Sequence, residues 1–194
     1  MRISPLWLTI ILAVLTGVLA LAIWVPISGY FYPPGTPEGG NNTANTSLTA
    51  PASMARYMPL PPNGWTFNNS SGDVVTNDQE SFSFAKDDYI MPGSNTTASV
   101  IIYDSGGKDI MWNSIFRTGF IYDDSSGYAK VYDYKGMLTW ETGQYSGDDN
   151  EYSMYIKLND RFGIAILLKN ATDNSALRDF ADRTNIYKII ALGQ

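Results

Sequence analysis

The chain begins with an unbroken apolar run, Leu6 to Val25, preceded by one charged side chain, Arg2, and followed by none until Glu38. As a helix such a run spans roughly 30 Å, the thickness of a bilayer's hydrocarbon core. The positive end is expected to stay in the cytoplasm, which puts the rest of the chain outside. Trp7 and Trp24 lie near the two ends of the run as an aromatic belt would. The run is also longer than the apolar part of an ordinary signal peptide, which favours a retained single-pass anchor. Ala20-Leu21-Ala22 is a pattern that a signal peptidase reads, and cleavage there would give a secreted form instead.

From Tyr32 to Pro62 the apolar pattern lapses into Pro, Gly, Asn, Thr, Ser and Ala, with Pro33-Pro34-Gly35 and Glu38-Gly39-Gly40 as breaks. Such a stretch buries too little apolar surface to fold. The expected division is a membrane anchor or signal over 1–28, a disordered stalk over 29–55 and one extracytoplasmic domain over 56–194.

Within that domain, Ser81-Phe82-Ser83-Phe84 alternates as a strand does, and Ala98 to Tyr103 is apolar on both faces, as a central strand is. Ile110, Met111, Ser114, Ile115 and Thr118 recur at helical spacing, which predicts a short helix over Lys108–Thr118. Tyr128–Tyr134 and Met137–Thr142 flank Lys135-Gly136 as a two-residue hairpin. Tyr152–Leu158 and Phe162–Leu168 flank Asn159-Asp160-Arg161, and the apolar second face of the latter strand places it inside the sheet. A last helix is expected from an Asp173 or Asn174 cap, with Leu177, Phe180, Ala181 and Thr184 inward, a break at Asn185, and Ile186–Leu192 packing the end. The expected class is therefore α+β: an N-terminal transmembrane helix plus one domain in which helices pack an antiparallel sheet.

The C-terminal part resembles a known group. Tyr155 to Ile166, followed by Leu177, Phe180-Ala181 and Ile189 to Leu192, with Gly136 to Trp140 as a preceding Gly-x-x-x-Trp strand, resembles an uncharacterised family of membrane-anchored extracytoplasmic proteins of methanogenic archaea. The resemblance covers roughly residues 98 to 192, rests on packing and turn residues, and implies no activity, cofactor or catalytic residue. At the level of fold alone, the expected sheet with a long C-terminal helix is similar to the PsbP/Mog1-like fold, whose members are mostly binding or scaffold proteins.

Composition then narrows the chemistry. The 194 residues include no Cys and no His. An extracytoplasmic domain is therefore held by packing alone, and Ser-His-Asp and Cys-His nucleophiles, most zinc sites and imidazole proton shuttles are excluded. The formal charge of −6 argues against a nucleic-acid partner. The acidic pairs Asp87-Asp88, Asp123-Asp124 and Asp148-Asp149 are read as solvated turns; as a calcium site they lack the alternating spacing of a known loop. Carboxylates suited to glycoside hydrolysis are numerous, but no spacing marks an acid and a base. No phosphate-binding glycine loop is present either. The expectation is a protein that is not an enzyme, with no catalytic residue, resident cofactor or metal.

Surface chemistry offers other candidates. Asn-x-Ser/Thr occurs at Asn41, Asn45, Asn68, Asn69, Asn95 and Asn170, each a candidate glycosylation site. Tyr128, Tyr132 and Tyr134 share one strand face and Tyr155 lies on another, so they either edge the core or form a ring patch for a glycan. Trp65, Trp112 and Trp140 are expected in the core. Arg161 either completes its turn or pairs with a carboxylate or anion. The reading is a membrane-tethered extracytoplasmic binding or scaffold module, held in the membrane through Leu6 to Val25 and contacting an envelope protein or glycan. Its competitors are an accessory subunit of a membrane complex, a ligand or metal sensor, and a metal- or carboxylate-dependent hydrolase.

Overall fold

The computed structural model describes residues 47–76, 81–107, 121–147 and 149–193. The run Leu6–Val25, the stalk to residue 46, the helix expected over Lys108–Thr118 with Trp112, the sequons at Asn41 and Asn45, and Asp148 lie outside the described residues.

In chain order the elements are α1 (Pro51–Ala55), β1 (Thr66–Thr76), β2 (Ser81–Ile90), β3 (Thr97–Asp104), β4 (Tyr122–Asp124), β5 (Gly127–Tyr134), β6 (Met137–Gln144), β7 (Glu151–Lys157), β8 (Phe162–Lys169), α2 (Ser175–Arg183) and α3 (Ile186–Ala191). The strands form one sheet in the order β1-β2-β3-β8-β7-β6-β5-β4, and every neighbouring pair is antiparallel. The register aligns Ser70, Asp87, Val100, Ile166, Met154, Glu141 and Lys130 in one row across it. On that face α1 packs over β1 and β2, and α2 over β8 and β7. Tyr89, Ile102, Ile156, Ile164, Leu168, Leu177, Phe180 and Ile189 close the main core between them. Trp65 meets the Phe180 ring edge-on at 5.3 Å.

The expected α+β class is corrected. Among the described residues the helices are only 5, 9 and 6 residues long, and none is long and apolar enough to cross a membrane. An eight-stranded antiparallel sheet is the frame, and the helices only cover part of it. The difference arises from two strands without an apolar pattern. β1 is polar and almost wholly exposed, held by its ladder to β2 rather than by burial. β4 is a three-residue strand inside a stretch that reads as an acidic turn.

Two further readings change. Ser83 is the buried member of the alternation in β2, its Oγ donating to the Thr49 carbonyl at 2.7 Å. Phe84, with Tyr103, Tyr155 and Leu167, packs instead around Ile101 and Ala165 in a second cluster on the opposite face. β2 is thus packed from both sides, and a satisfied hydroxyl is tolerated in the main core. At the N-terminal end, Met54 of α1 is fully buried, so residues 47–55 belong to the packed part of the chain rather than to a stalk.

The hairpins follow their expected chemistry. Lys135 and Gly136 take φ of 56° and 81°, the pair of left-handed residues that a two-residue turn needs, and Tyr134 faces Met137 across it. β8 lies between β3 and β7, inside the sheet as its two apolar faces require. In α2 the stripe Leu177, Phe180 and Ala181 is buried and Thr184 follows it inward, with Asp173 accepting the Ser175 N–H at 2.8 Å.

Candidate functional site

Among the described residues two charged side chains are buried, Glu141 and Asp104. The first is Glu141 on β6, 1 % exposed and paired in register with Lys130 on β5. Alternation along β5 places Tyr128, Lys130, Tyr132 and Tyr134 on one face, so two tyrosines flank the lysine. The Tyr128 hydroxyl donates to Glu141 Oε1 and that of Tyr132 to Oε2, both at 2.6 Å. Lys130 Nζ stands 2.9 Å from Oε1 and lies over both rings, 5.1 and 5.5 Å from their centroids. Asn174, just before α2, donates to Oε1 at 2.7 Å and to the Tyr128 hydroxyl at 2.8 Å.

One helical turn on, Arg178 lies over the Tyr132 ring, and a turn further Asp182 accepts from Tyr134 at 2.5 Å and pairs with Lys135. Asn174, Arg178 and Asp182 recur at i, i+4 and i+8, so one flank of α2 is fastened along β5. Tyr145 and Tyr152 join Tyr128 in a ring group with centroids 6.4 to 6.5 Å apart. Gly143 makes room for it: a Cβ there would stand 2.4 Å from Tyr128 Cε1.

The electrostatics of Glu141 are those of a structural ion. Burial alone would raise its pKa, but hydrogen bonds from Tyr128, Tyr132 and Lys130 outweigh that and hold it below the usual range. Both tyrosine hydroxyls are pushed upward, by burial first and then by donating to the carboxylate. Tyr134 is pushed up to about 12 by burial and its bond to Asp182.

The second buried ion is Asp104 at the end of β3, fully buried. Arg161, from the β7–β8 turn, grips it bidentately, Nε to Oδ1 and Nη2 to Oδ2, each at 2.7 Å. The Thr49 N–H donates to Oδ2 at 2.6 Å and the Gly106 N–H to Oδ1 at 2.8 Å. Arg161 also donates to the Ser47 carbonyl at 2.8 Å. Burial would raise the Asp104 pKa, yet the bonds from Arg161, Gly106 and Thr49 lower it overall. Beside the pair is a shallow cleft of about 440 Å³ bordered by Ser47, Thr49, Ser53, Arg161 and Leu192. Of the two roles open to Arg161, pairing with a carboxylate is the one it fills.

The remaining candidates are scattered. Asp87 and Asp88 lie within β2, not in a loop, and on opposite faces: Asp88 pairs with Lys86 and accepts from Ser99. Asp124 closes the β4–β5 turn by accepting from the Ser126 N–H and hydroxyl. Among the described residues no three acidic side chains converge as metal ligands. Asn68, Asn69 and Asn95 are exposed, whereas Asn170 is half-buried with its amide donating to the Asn95 carbonyl. Trp140 stacks on Tyr155 at 5.4 Å on the second face rather than in the main core. Sequence reasoning missed Glu141, Lys130, Asn174 and Asp104. The first two were within reach, because counting back from the Lys135-Gly136 turn puts Lys130 opposite Glu141.

No protein-family model, curated protein or solved structure matches the chain.

Proposed function

We propose that the chain is a membrane-tethered extracytoplasmic module that binds or scaffolds a cell-envelope component and performs no catalysis. The observation that carries the non-catalytic part is the fate of the two buried carboxylates. Each is held ionised by four donors from its own chain, so neither has a proton to give to a substrate. The apolar run Leu6–Val25 supports the tether, the exposed sequons at Asn68, Asn69 and Asn95 suit an external domain, and the resemblance to archaeal extracytoplasmic proteins supports the same placement.

The test uses the full chain in the membranes of its own cells. After an alkaline wash it should remain in the membrane fraction. Protease added from outside should release a fragment carrying residues 47–194 by cutting in the stalk. Cross-linking in intact cells should join that fragment to one recurrent envelope component. Recovery in the soluble fraction would overturn the tether, and turnover of an envelope polymer that Glu141→Gln abolishes in a still folded protein would replace the scaffold with the hydrolase.

A further inference from the structure

The connection from β3 to β4 has to cross most of the sheet. β3 ends at Asp104 as the third strand in the order, and β4 lies at the far edge, five strand positions or about 24 Å away. Tyr122, the first residue of β4, shares a row with Ala129, Thr142, Ser153, Leu167 and Ser99, so it also lies about 16 Å back along the strands from Asp104. The direct line over a face is therefore about 30 Å, and the detour along the rim and down the edge beyond β5 about 40 Å. With residues 108–118 helical, as the spacing of Ile110, Met111, Ser114, Ile115 and Thr118 predicts, residues 105–121 reach about 40 Å only when every other residue is fully extended. Gly106 and Gly107 turn instead, at φ of 64° and 81°, which leaves the direct line.

The first face offers that line no room. α2 lies there over β8 and β7 and is fastened to β5 through Asn174, Arg178 and Asp182. Met54, Leu177, Phe180, Ile186 and Ile189 put all three described helices into the main core on that side. The second face is apolar along the way. Ile101, Ala165, Tyr155, Trp140 and Val131 form one row across β3, β8, β7, β6 and β5, between the level of Asp104 and that of Tyr122. Ala165 is 2 % exposed, and burial pushes the hydroxyls of Tyr103 and Tyr155 upward, so this face is withdrawn from water although none of the described helices lies on it. We infer that the second face is an internal docking surface whose occupant is the chain's own segment 108–118, with Ile110, Met111 and Ile115 laid on the row. The spacing that predicts this helix gives it one apolar side, and a row of this kind is what buries such a side. Trp140 and Tyr155 are then interior rings, so a glycan or envelope protein meets the module elsewhere.

The absence of native cysteine gives the test a single attachment point. In the full chain in mild detergent, Ser114→Cys carries a benzophenone maleimide. Illumination should join it within the chain mainly to peptides of residues 137–169, which hold β6, β7 and β8, and not to residues 171–193, which hold α2 and α3. A second arm labels Ser153→Cys, on the second face of β7, with a small maleimide. It should react at least about ten times more slowly than Tyr187→Cys, which is 68 % exposed on α3. That protection should be lost when Ile110→Asp and Ile115→Asp are added together and circular dichroism still reports the sheet. A cross-link chiefly to residues 171–193, no cross-link within the chain, or Ser153→Cys reacting as fast as Tyr187→Cys would each overturn the inference, whether or not the double aspartate variant folds. Protection that survives the two aspartates in a folded protein would overturn it too.

Discussion

Replacing Arg161 by Met keeps an aliphatic side chain of similar length but removes the guanidinium, both from Asp104 and from over the Phe162 ring. Taking away one partner of a buried ion pair costs about 3 to 5 kcal/mol, because the other charge is left behind. Asp104 keeps the N–H groups of Thr49 and Gly106, so the loss should lie near the lower end, about 3 kcal/mol. For a domain of this size that is a fall in Tm of roughly 6 to 12 °C. The sign of the pH dependence follows from the lowered pKa of Asp104. A carboxyl depressed in the folded state adds stability that is present above its unfolded pKa, about 3.9, and is lost as pH falls through the folded one. The gap between wild type and Arg161→Met should therefore be full near about pH 7 and narrow as pH falls below the unfolded value of about 3.9. Asp104→Asn in the Arg161→Met background should recover part of the loss by removing the stranded charge. Urea titrations of all three proteins, in one mild detergent and at neutral and acid pH, read these differences. A gap as wide in acid as at neutrality would refute the electrostatic reasoning and leave only lost packing.

Three further outcomes follow from the core, a turn and the acidic surface. Ile166 is fully buried in the central strand, so Ile166→Ala should cost about 2 to 4 kcal/mol by chemical denaturation. Lys157, half-buried and paired with the exposed Asp160, should cost no more than about 1 kcal/mol as Lys157→Ala; equal losses would mean that the faces of β7 and β8 are misassigned. Gly136→Val meets no neighbour, yet it forces a β-branched residue to φ of 81°, and should cost about 1 to 2 kcal/mol in the same assay. Millimolar calcium should raise Tm no more than magnesium does; a calcium-specific rise that disappears in Asp123→Ala would instead establish a loop site and favour the sensor.

What could be read from the chain was local. The Lys135-Gly136 hairpin, the β7–β8 pair and the inward stripe of α2 each depend on residues within a few positions, where periodicity and turn chemistry act directly. β1 escaped because its eleven residues are fixed by backbone pairing to β2, which leaves no apolar period. Ser83 and Phe84 show the second limit: alternation separates two faces but does not say which is the main core when both are covered. The Glu141 network was half legible, since Lys130 and Glu141 are neighbours once the hairpin is placed, while Asn174 arrives from α2 far along the sequence. Asp104 and Arg161, 57 positions apart, meet only because β8 inserts beside β3. No spacing announces such a pair.

As proposed above, the buried acids are structural ions and not catalytic groups. Carbon-13 titration of the side-chain carboxyls of Asp104 and Glu141 in the full chain measures this directly. Both should titrate below the ordinary values of about 3.9 and 4.3, and the Glu141 resonance should lose its depression in Tyr128→Phe combined with Tyr132→Phe. Either carboxyl titrating near neutrality in the intact protein, where a general acid works, would contradict the account.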